Sequence, residues 1–335
     1  NDDHIIASNE GAAIGLSIGH HIATEEIPLV YLQNSGLGNT INPLLSLASN
    51  EVYGVPMLLL IGWRGEPNKK DEPQHVHQGR VMLDSLEAMS LPYIILSQNT
   101  DEAIMQTKEA FLRAKKDSTP VCIIVQKGTF KSHAFARPQN NLSLSREEAI
   151  EIIAKLLPET SPVICTTGMP SRELFEFREN KHLGHEKDFL TVGGMGHASQ
   201  IALGLALKQK ERIIFCIDGD GAAIMHMGSL AIIGQSQASN LIHIILNNGV
   251  HDSVGGQPTV GFGIDFCKIA AASGYASTVS VSLEEGIKDT IRNALSCDGP
   301  HLIEIKVRAG NRPDIGRPTT SPKENKEAMM NFLKN

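Results

Sequence analysis

Asp220 and Asn248 are the residues of this chain best suited to hold a divalent cation. They lie in the stretch Arg212 to Thr259, RIIFCIDGDGAAIMHMGSLAIIGQSQASNLIHIILNNGVHDSVGGQPT. The apolar run Ile213 to Ile217 ends at Asp218 and is followed by Gly219-Asp220-Gly221. Twenty-five residues later a second apolar run, Leu241 to Leu246, ends at Asn247-Asn248. Two such runs joined by a helical stretch make a strand-helix-strand unit. Parallel strands connected in this way bring their C-terminal ends side by side, and ligands of open α/β sheets bind outside those ends. A carboxylate and an amide oxygen are hard donors that suit Mg²⁺, which takes few ligands from protein and the rest from phosphate and water. The backbone carbonyl of Val250 is a candidate third ligand. Gly219 and Gly221 let the backbone approach a diphosphate, with the following amides, from Ala222 on, facing the anion.

Taken alone, Gly-Asp-Gly is a tight turn and Asn247-Asn248 an Asx turn. Their pairing at this spacing, each directly after an apolar run, favours the ligand reading. No GxGxxG follows a strand, which argues against a nicotinamide fingerprint, and no GxxxxGK[ST] occurs, so a P-loop is absent.

The elements that must position these residues form two α/β blocks. In the first, strand-like runs lie at 29–32, 56–63, 93–97 and 120–128, with helical patterns over 9–24 and 100–116. In the second, they lie at 162–168, 189–194, 212–218, 241–248, 276–282 and 300–307. Near-continuous apolar strands alternating with helices predict doubly wound parallel sheets covered on both faces. The polar stretch 132–145, which contains Pro138, marks the boundary, giving domains 1–135 and 143–335. Ser145 to Glu148 reads as a capping box opening a helix. HIIASNE (4–10) reads as a strand ending at Ser8, with Ser8-Asn9 capping a helix whose first turn holds Glu10. The tail Ala309 to Pro322 reads as a loop, and a short amphipathic helix closes the chain.

Composition limits the function classes. The chain has 335 residues, enough for about two domains. At 41% hydrophobic and 4% aromatic it has an ordinary α/β make-up, and the net charge of -7 argues against nucleic acid as main partner. No apolar run reaches the roughly 18 residues of a membrane span, and no signal peptide is visible. The five cysteines form no CxxC pair, and Cys122, Cys165 and Cys216 fall inside apolar runs, which fits a reducing cytoplasm.

The Gly219-Asp220-Gly221 and Asn247-Asn248 pair resembles the diphosphate and metal motif of thiamine diphosphate-dependent decarboxylases. Within that family, QNSGLGNTINPL (33–44), LLLIGWRGEP (58–67), DEPQHVHQGR (71–80), NNGVHDSVGGQPT (247–259) and RPDIGRPT (312–319) resemble the phosphonopyruvate decarboxylase group. The resemblance covers nearly all of the chain. It implies the thiamine diphosphate-binding fold, with a pyrimidine-binding first domain and a diphosphate-binding second one. The family's opening strand and helix would precede Asn1, and its middle domain is absent.

The resemblance also implies roles. Glu10 would hydrogen-bond the aminopyrimidine from a dry pocket, with its pKa raised. Met195, flanked by Gly193, Gly194 and Gly196, would bend the cofactor, and the Gly193 carbonyl would accept its amino group. Thr167, Gly168, Gly219, Gly221 and Ala222 would meet the diphosphate, with Asp220, Asn248 and Val250 on Mg²⁺. His75, His251 and Asp252 are candidate catalytic groups. Arg64, Arg312 and Arg317, with His77, are candidate grips for an anionic small 2-keto acid. The implied reaction is decarboxylation of 3-phosphonopyruvate; sulfopyruvate and a carboligase side reaction stay open. In this family the two domains of one site come from different chains, so at least a homodimer is expected.

Overall fold

The computed structural model describes residues 4–131 and 140–334. Pro138 and most of the expected boundary stretch therefore lie outside the described residues. The chain divides into two compact units, Asn1–Phe135 and Ala136–Asn335.

The first unit runs α1 (Glu10–Thr24), β1 (Leu29–Gln33), α2 (Leu37–Pro43), β2 (Met57–Gly62), α3 (Pro73–Ala88), β3 (Tyr93–Ile95), α4 (Thr100–Asp117) and β4 (Pro120–Val125). Its four strands are all parallel, in the order β1-β2-β4-β3. Alternate residues of each strand face opposite sides of the sheet. Leu59 and Ile61 of β2 and Cys122 and Ile124 of β4 pack with Ile14, Met82 and Leu86 from the helices on one side. Leu58, Val121 and Ile123 pack with Ala110 and Ala114 of α4 on the other. Asn9 starts α1, its side chain accepting from the Ala12 N–H at 2.9 Å, so that Glu10 is the first helical residue. The strand expected at residues 4–8 is not formed. Among the described residues no strand pairs with this segment, and without a ladder Ile5 stays 66% exposed.

The second unit runs α5 (Arg146–Leu156), β5 (Val163–Cys165), α6 (Met169–Asn180), β6 (Asp188–Leu190), α7 (Ala198–Ala206), β7 (Ile214–Gly219), α8 (Asp220–Met225), α9 (Gly228–Ser236), β8 (Leu241–Asn247), β9 (Val250–His251), β10 (Gln257–Pro258), α10 (Phe266–Ser273), β11 (Ser277–Val281), α11 (Glu284–Leu295), β12 (His301–Lys306) and α12 (Pro322–Phe332). The main sheet is parallel throughout, in the order β11-β12-β8-β7-β5-β6. The alternation is again clean. Phe215 and Ile217 of β7 and Ile242, Ile244 and Leu246 of β8 face the α5, α6 and α11 side. Ile214, Cys216, Leu241 and Ile245 face the α7, α9 and α10 side. Each fully buried side chain of this size contributes about 1.5–3 kcal/mol.

Ser145 caps α5 with the full reciprocal box, its side chain bonded to the Glu148 N–H and the Glu148 carboxylate to the Ser145 N–H. A buried pair, Arg178 to Asp188 at 2.7 and 2.8 Å, ties α6 to the start of β6. From β5 the chain goes to β6 on one side and then crosses to β7 on the other. This reversal is where such sheets open a crevice.

Candidate active site

The C-terminal ends of β5, β6, β7 and β8 bring the expected residues of the second unit together. Strands β7 and β8 are direct ladder partners, with Gly219 opposite Leu246. Asp220 therefore leaves β7 next to where Asn248 leaves β8, and the Asn248 N–H hydrogen-bonds the Asp220 carboxylate. Asp220 is 2% exposed and Asn248 4%. Burial pushes the Asp220 carboxyl up to about 6, although the Thr259 hydroxyl and backbone N–H groups donate to it and work the other way. Among the described residues no cationic side chain pairs with it. The Asn248 amide is oriented from both ends: Nδ2 donates to Asp252 at 2.7 Å, and Oδ1 accepts from the Val250 N–H at 3.1 Å.

Two glycines mark how closely these parts approach. A Cβ on Gly221 would lie 2.4 Å from Cε1 and 2.6 Å from Nδ1 of His251, and 3.4 Å from Cε of Met195. A Cβ on Gly168, whose φ is +97°, would lie 3.1 Å from Oγ of Ser253. Gly168 and Thr167 follow β5, and Met195 sits in the loop Gly193 to Gly196 after β6. The loop after β8 thus closes over the ends of β5 and β7. Burial pushes the His251 imidazole below its ordinary range, so the ring is neutral at pH 7.

The other expected residues of the second unit are Arg312, Arg317 and Asp252. Arg312 is gripped by three carboxylates of its own unit: Glu147 at 2.9 Å, Asp314 at 3.2 Å, and Glu176. It fastens the tail to α5 and α6. Arg317 is exposed, and Asp252 turns to Arg146, Asn248 and Gly310 rather than to His251. In the first unit, Glu10 is partly exposed in the single chain. It accepts from Asn39 at 2.8 Å, and a Cβ on Gly36 would stand 2.1 Å from its Oε1. Arg64 makes two bonds to Asp71, at 2.5 and 2.9 Å, which hold that carboxyl well below the usual range. His75 is buried, and burial, with Arg64 beside it, lowers its pKa. His77 is exposed, bonded to Arg80 at 2.8 Å.

Three groups of the second unit escape a reading of the sequence. Thr259 and Gly261 wrap Asp220, a Cβ on Gly261 falling 2.5 Å from its Oδ2. The rings of His197 and His226 lie 4.5 Å apart beside the Met195 loop. Arg146, read only as part of a helix start, is buried between Glu173 and Asp252. Single polar residues such as Thr259, His197 and His226 carry no periodicity that would flag them.

Residues 163–305 match the family model for the thiamine pyrophosphate enzyme, C-terminal TPP binding domain. The phosphonopyruvate decarboxylase of Streptomyces viridochromogenes is 33% identical over 339 residues, covering 96% of this chain and 83% of the relative. That of Streptomyces hygroscopicus is 33% identical, covering 96% and 82%. The chain belongs to the thiamine diphosphate-dependent decarboxylase family. A sulfopyruvate decarboxylase from Methanosarcina acetivorans is 28% identical, covering 93% of this chain and 83% of the relative.

The cofactor of a thiamine diphosphate-dependent decarboxylase is thiamine diphosphate, with Mg²⁺ as its usual metal. The donor set fits that pair. A buried carboxylate without a cationic partner and an amide oxygen turned by fixed hydrogen bonds are what a hydrated Mg²⁺ takes from protein. Asn247, beside that set, donates from Nδ2 to the Gly261 carbonyl at 2.8 Å and to Glu304 at 2.7 Å, which locks the site loop to β12.

Proposed function

We propose that this protein decarboxylates 3-phosphonopyruvate to phosphonoacetaldehyde and CO₂, using thiamine diphosphate and Mg²⁺. The observation that carries the reading is the convergence of buried Asp220 and Asn248 at adjacent strand ends. The two Streptomyces relatives, matched over nearly the whole chain, supply the substrate.

When bound, thiamine diphosphate supplies a carbon nucleophile for the keto group and accepts the electron pair released as CO₂ departs. Asp220, Asn248 and the Val250 carbonyl would hold the metal, and the glycines at 168, 219 and 221, with Thr167 and Ala222, would let the backbone meet the diphosphate. Met195 would support the cofactor, and the Gly193 carbonyl would accept from its amino group. Glu10 would hydrogen-bond its pyrimidine ring and hold or release a proton at its own carboxylate. His251, neutral and seated against Gly221, delivers or withholds a proton near the reacting carbon. His75, Arg64, Arg312 and Arg317 are the proposed contacts of the phosphonate; in this structure Arg64 and Arg312 are bound to carboxylates.

We place the protein in the cytoplasm as at least a homodimer, with each site built from two chains. No helix among the described residues is long and apolar enough to cross a membrane, and the five cysteines are free. Partial exposure of Glu10 suits a residue that a second chain covers. An active species that sediments as a monomer would remove this part of the proposal.

Sulfopyruvate is the second reading, favoured by the Methanosarcina relative. CO₂ release from the two acids, compared with and without thiamine diphosphate and Mg²⁺, separates them. A cofactor-dependent preference for phosphonopyruvate is expected. Preference for sulfopyruvate moves the substrate, and activity without the cofactor sinks the proposal.

A further inference from the structure

Behind Asn248 lies a buried chain of charges with no place in the mechanism above. Arg146, the first residue of α5, makes two bonds to Glu173 of α6, at 2.8 and 2.9 Å, and one to Asp252 at 2.6 Å. The three side chains are 5%, 2% and 3% exposed. Asp252 Oδ2, the atom that receives Arg146, also accepts Nδ2 of Asn248 at 2.7 Å, and the Gly310 N–H of the tail approaches the same carboxylate at 3.2 Å.

Stability alone gives no reason for this arrangement. Burying two carboxylates and a guanidinium is costly, and well-packed apolar replacements of such groups are often neutral or stabilising. What an apolar group cannot do is accept an N–H from Asn248. An amide presents a donor at one end and an acceptor at the other, and only the acceptor can ligate a cation. An ionised carboxylate accepts only, so Asp252 admits one orientation of the Asn248 amide, with Nδ2 toward itself and Oδ1 turned away. The Val250 N–H on Oδ1 selects the same orientation. Arg146 fixes Asp252 by a charge-assisted bond, and the two-point grip of Glu173 fixes Arg146.

We infer that Asp252 and Arg146 are positioning residues of the cation site, which present Oδ1 rather than Nδ2 of Asn248 to the metal. The inference rests on Asn248 being the metal ligand proposed above. It gives Asp252 a role through Asn248 instead of through His251 or a water. It also extends the supports of the site to α5, α6 and the tail.

The test measures Mn²⁺ binding by electron paramagnetic resonance in the presence of thiamine diphosphate, so that the readout is affinity and not turnover. Asn248→Ala should weaken binding; an unchanged affinity removes Asn248 as a ligand and takes this inference with it. Asn248→Asp is the discriminating variant. Charge alone predicts tighter binding, since it adds an anionic ligand. The positioning role predicts binding weaker by about tenfold or more, because a carboxylate at 248 faces Asp252 with no proton to offer. Adding Asp252→Asn should then recover most of the loss, since an amide at 252 can donate to the carboxylate at 248. Wild-type affinity in Asn248→Asp, or a double variant no tighter than the single, overturns the inference. Should Asn248→Asp not fold, Arg146→Lys keeps the charge but loses the fork. It should bind Mn²⁺ about tenfold more weakly, and an unchanged affinity overturns the inference equally.

Discussion

Gly221 and His251 are packed so closely that the imidazole occupies the space a side chain at 221 would need: a Cβ there would stand 2.4 Å from Cε1. The ring is held against backbone that the proposed diphosphate contacts share. A methyl group added at this point moves the ring, since the alternative is to move the start of α8 with Asp220 on it. Gly221→Ala should therefore lower kcat on the order of 100-fold through misplacement of a few tenths of an ångström to an ångström. Steady-state kinetics on the folded variant check this, and wild-type kcat would remove His251 from the reacting centre.

Metal affinity should fall in mild acid. Burial raises the Asp220 carboxyl from 3.8 to about 6, so the metal-free folded state holds that proton more tightly than the unfolded chain does. The contribution of this proton to stability is complete below the unfolded value and is lost as pH rises through about 6. A shift of this size is worth about 3 kcal/mol. Binding a cation needs the ionised form, so Mn²⁺ affinity should be flat above about pH 7 and weaken about tenfold per unit well below 6. Titration across this range checks the slope. In Asp220→Asn the pH dependence should vanish along with most of the affinity.

Glu10 and the metal site should separate cleanly in their effects. Glu10→Gln keeps the bond to Asn39 but cannot shuttle a proton, and kcat should drop by about 10²–10⁴-fold. Mn²⁺ affinity should not change. Gly36→Ala, which would place a Cβ 2.1 Å from Oε1 of Glu10, should reproduce the loss of kcat by displacing the carboxylate. A Gly36→Ala protein with normal turnover would show that Glu10 acts from another position.

The pair Arg178 and Asp188 joins α6 to β6 and is given no part in the proposed chemistry. Both are nearly or fully buried, at 2% and 0%, and Asp188 also bonds through its carbonyl to Asn325 of α12 at 2.7 Å. Arg178→Met leaves a buried carboxylate alone and should cost about 3–5 kcal/mol in denaturant unfolding. Arg178→Met with Asp188→Leu should recover much of it. The Mn²⁺ affinity of the folded protein should be unaffected in both.

The strands and the placing of Asp220 and Asn248 at adjacent strand ends were legible in the sequence because both follow from the apolar runs. Near-continuous apolar runs mark parallel strands, and a polar residue directly after such a run marks a strand end at the ligand edge of the sheet. Thus Leu241 to Leu246 announced both β8 and Asn248. The segment at residues 4–8 failed by the same logic, since an apolar run cannot say whether a neighbouring strand is there to pair with it. Arg312 and Arg64 were legible as charges but not as partners: Glu147, Glu176 and Asp71 claim them through contacts that three dimensions alone define. Arg146 was hidden by its place inside a capping box, a local pattern that explained the residue too well for a second role to be sought.

The ladder between β7 and β8 has one more consequence. The spacing of the two strand ends from which Asp220 and Asn248 emerge is set by peptide hydrogen bonds, with strands about 4.8 Å apart. A dimension stored in the main chain is insensitive to most point mutations. Substitutions in the surrounding core should erode folding well before they change the spacing of these strand ends. The loops over the crevice carry no such constraint, so lineages can drift toward a new anionic keto acid there while the catalytic apparatus beneath stays as it was.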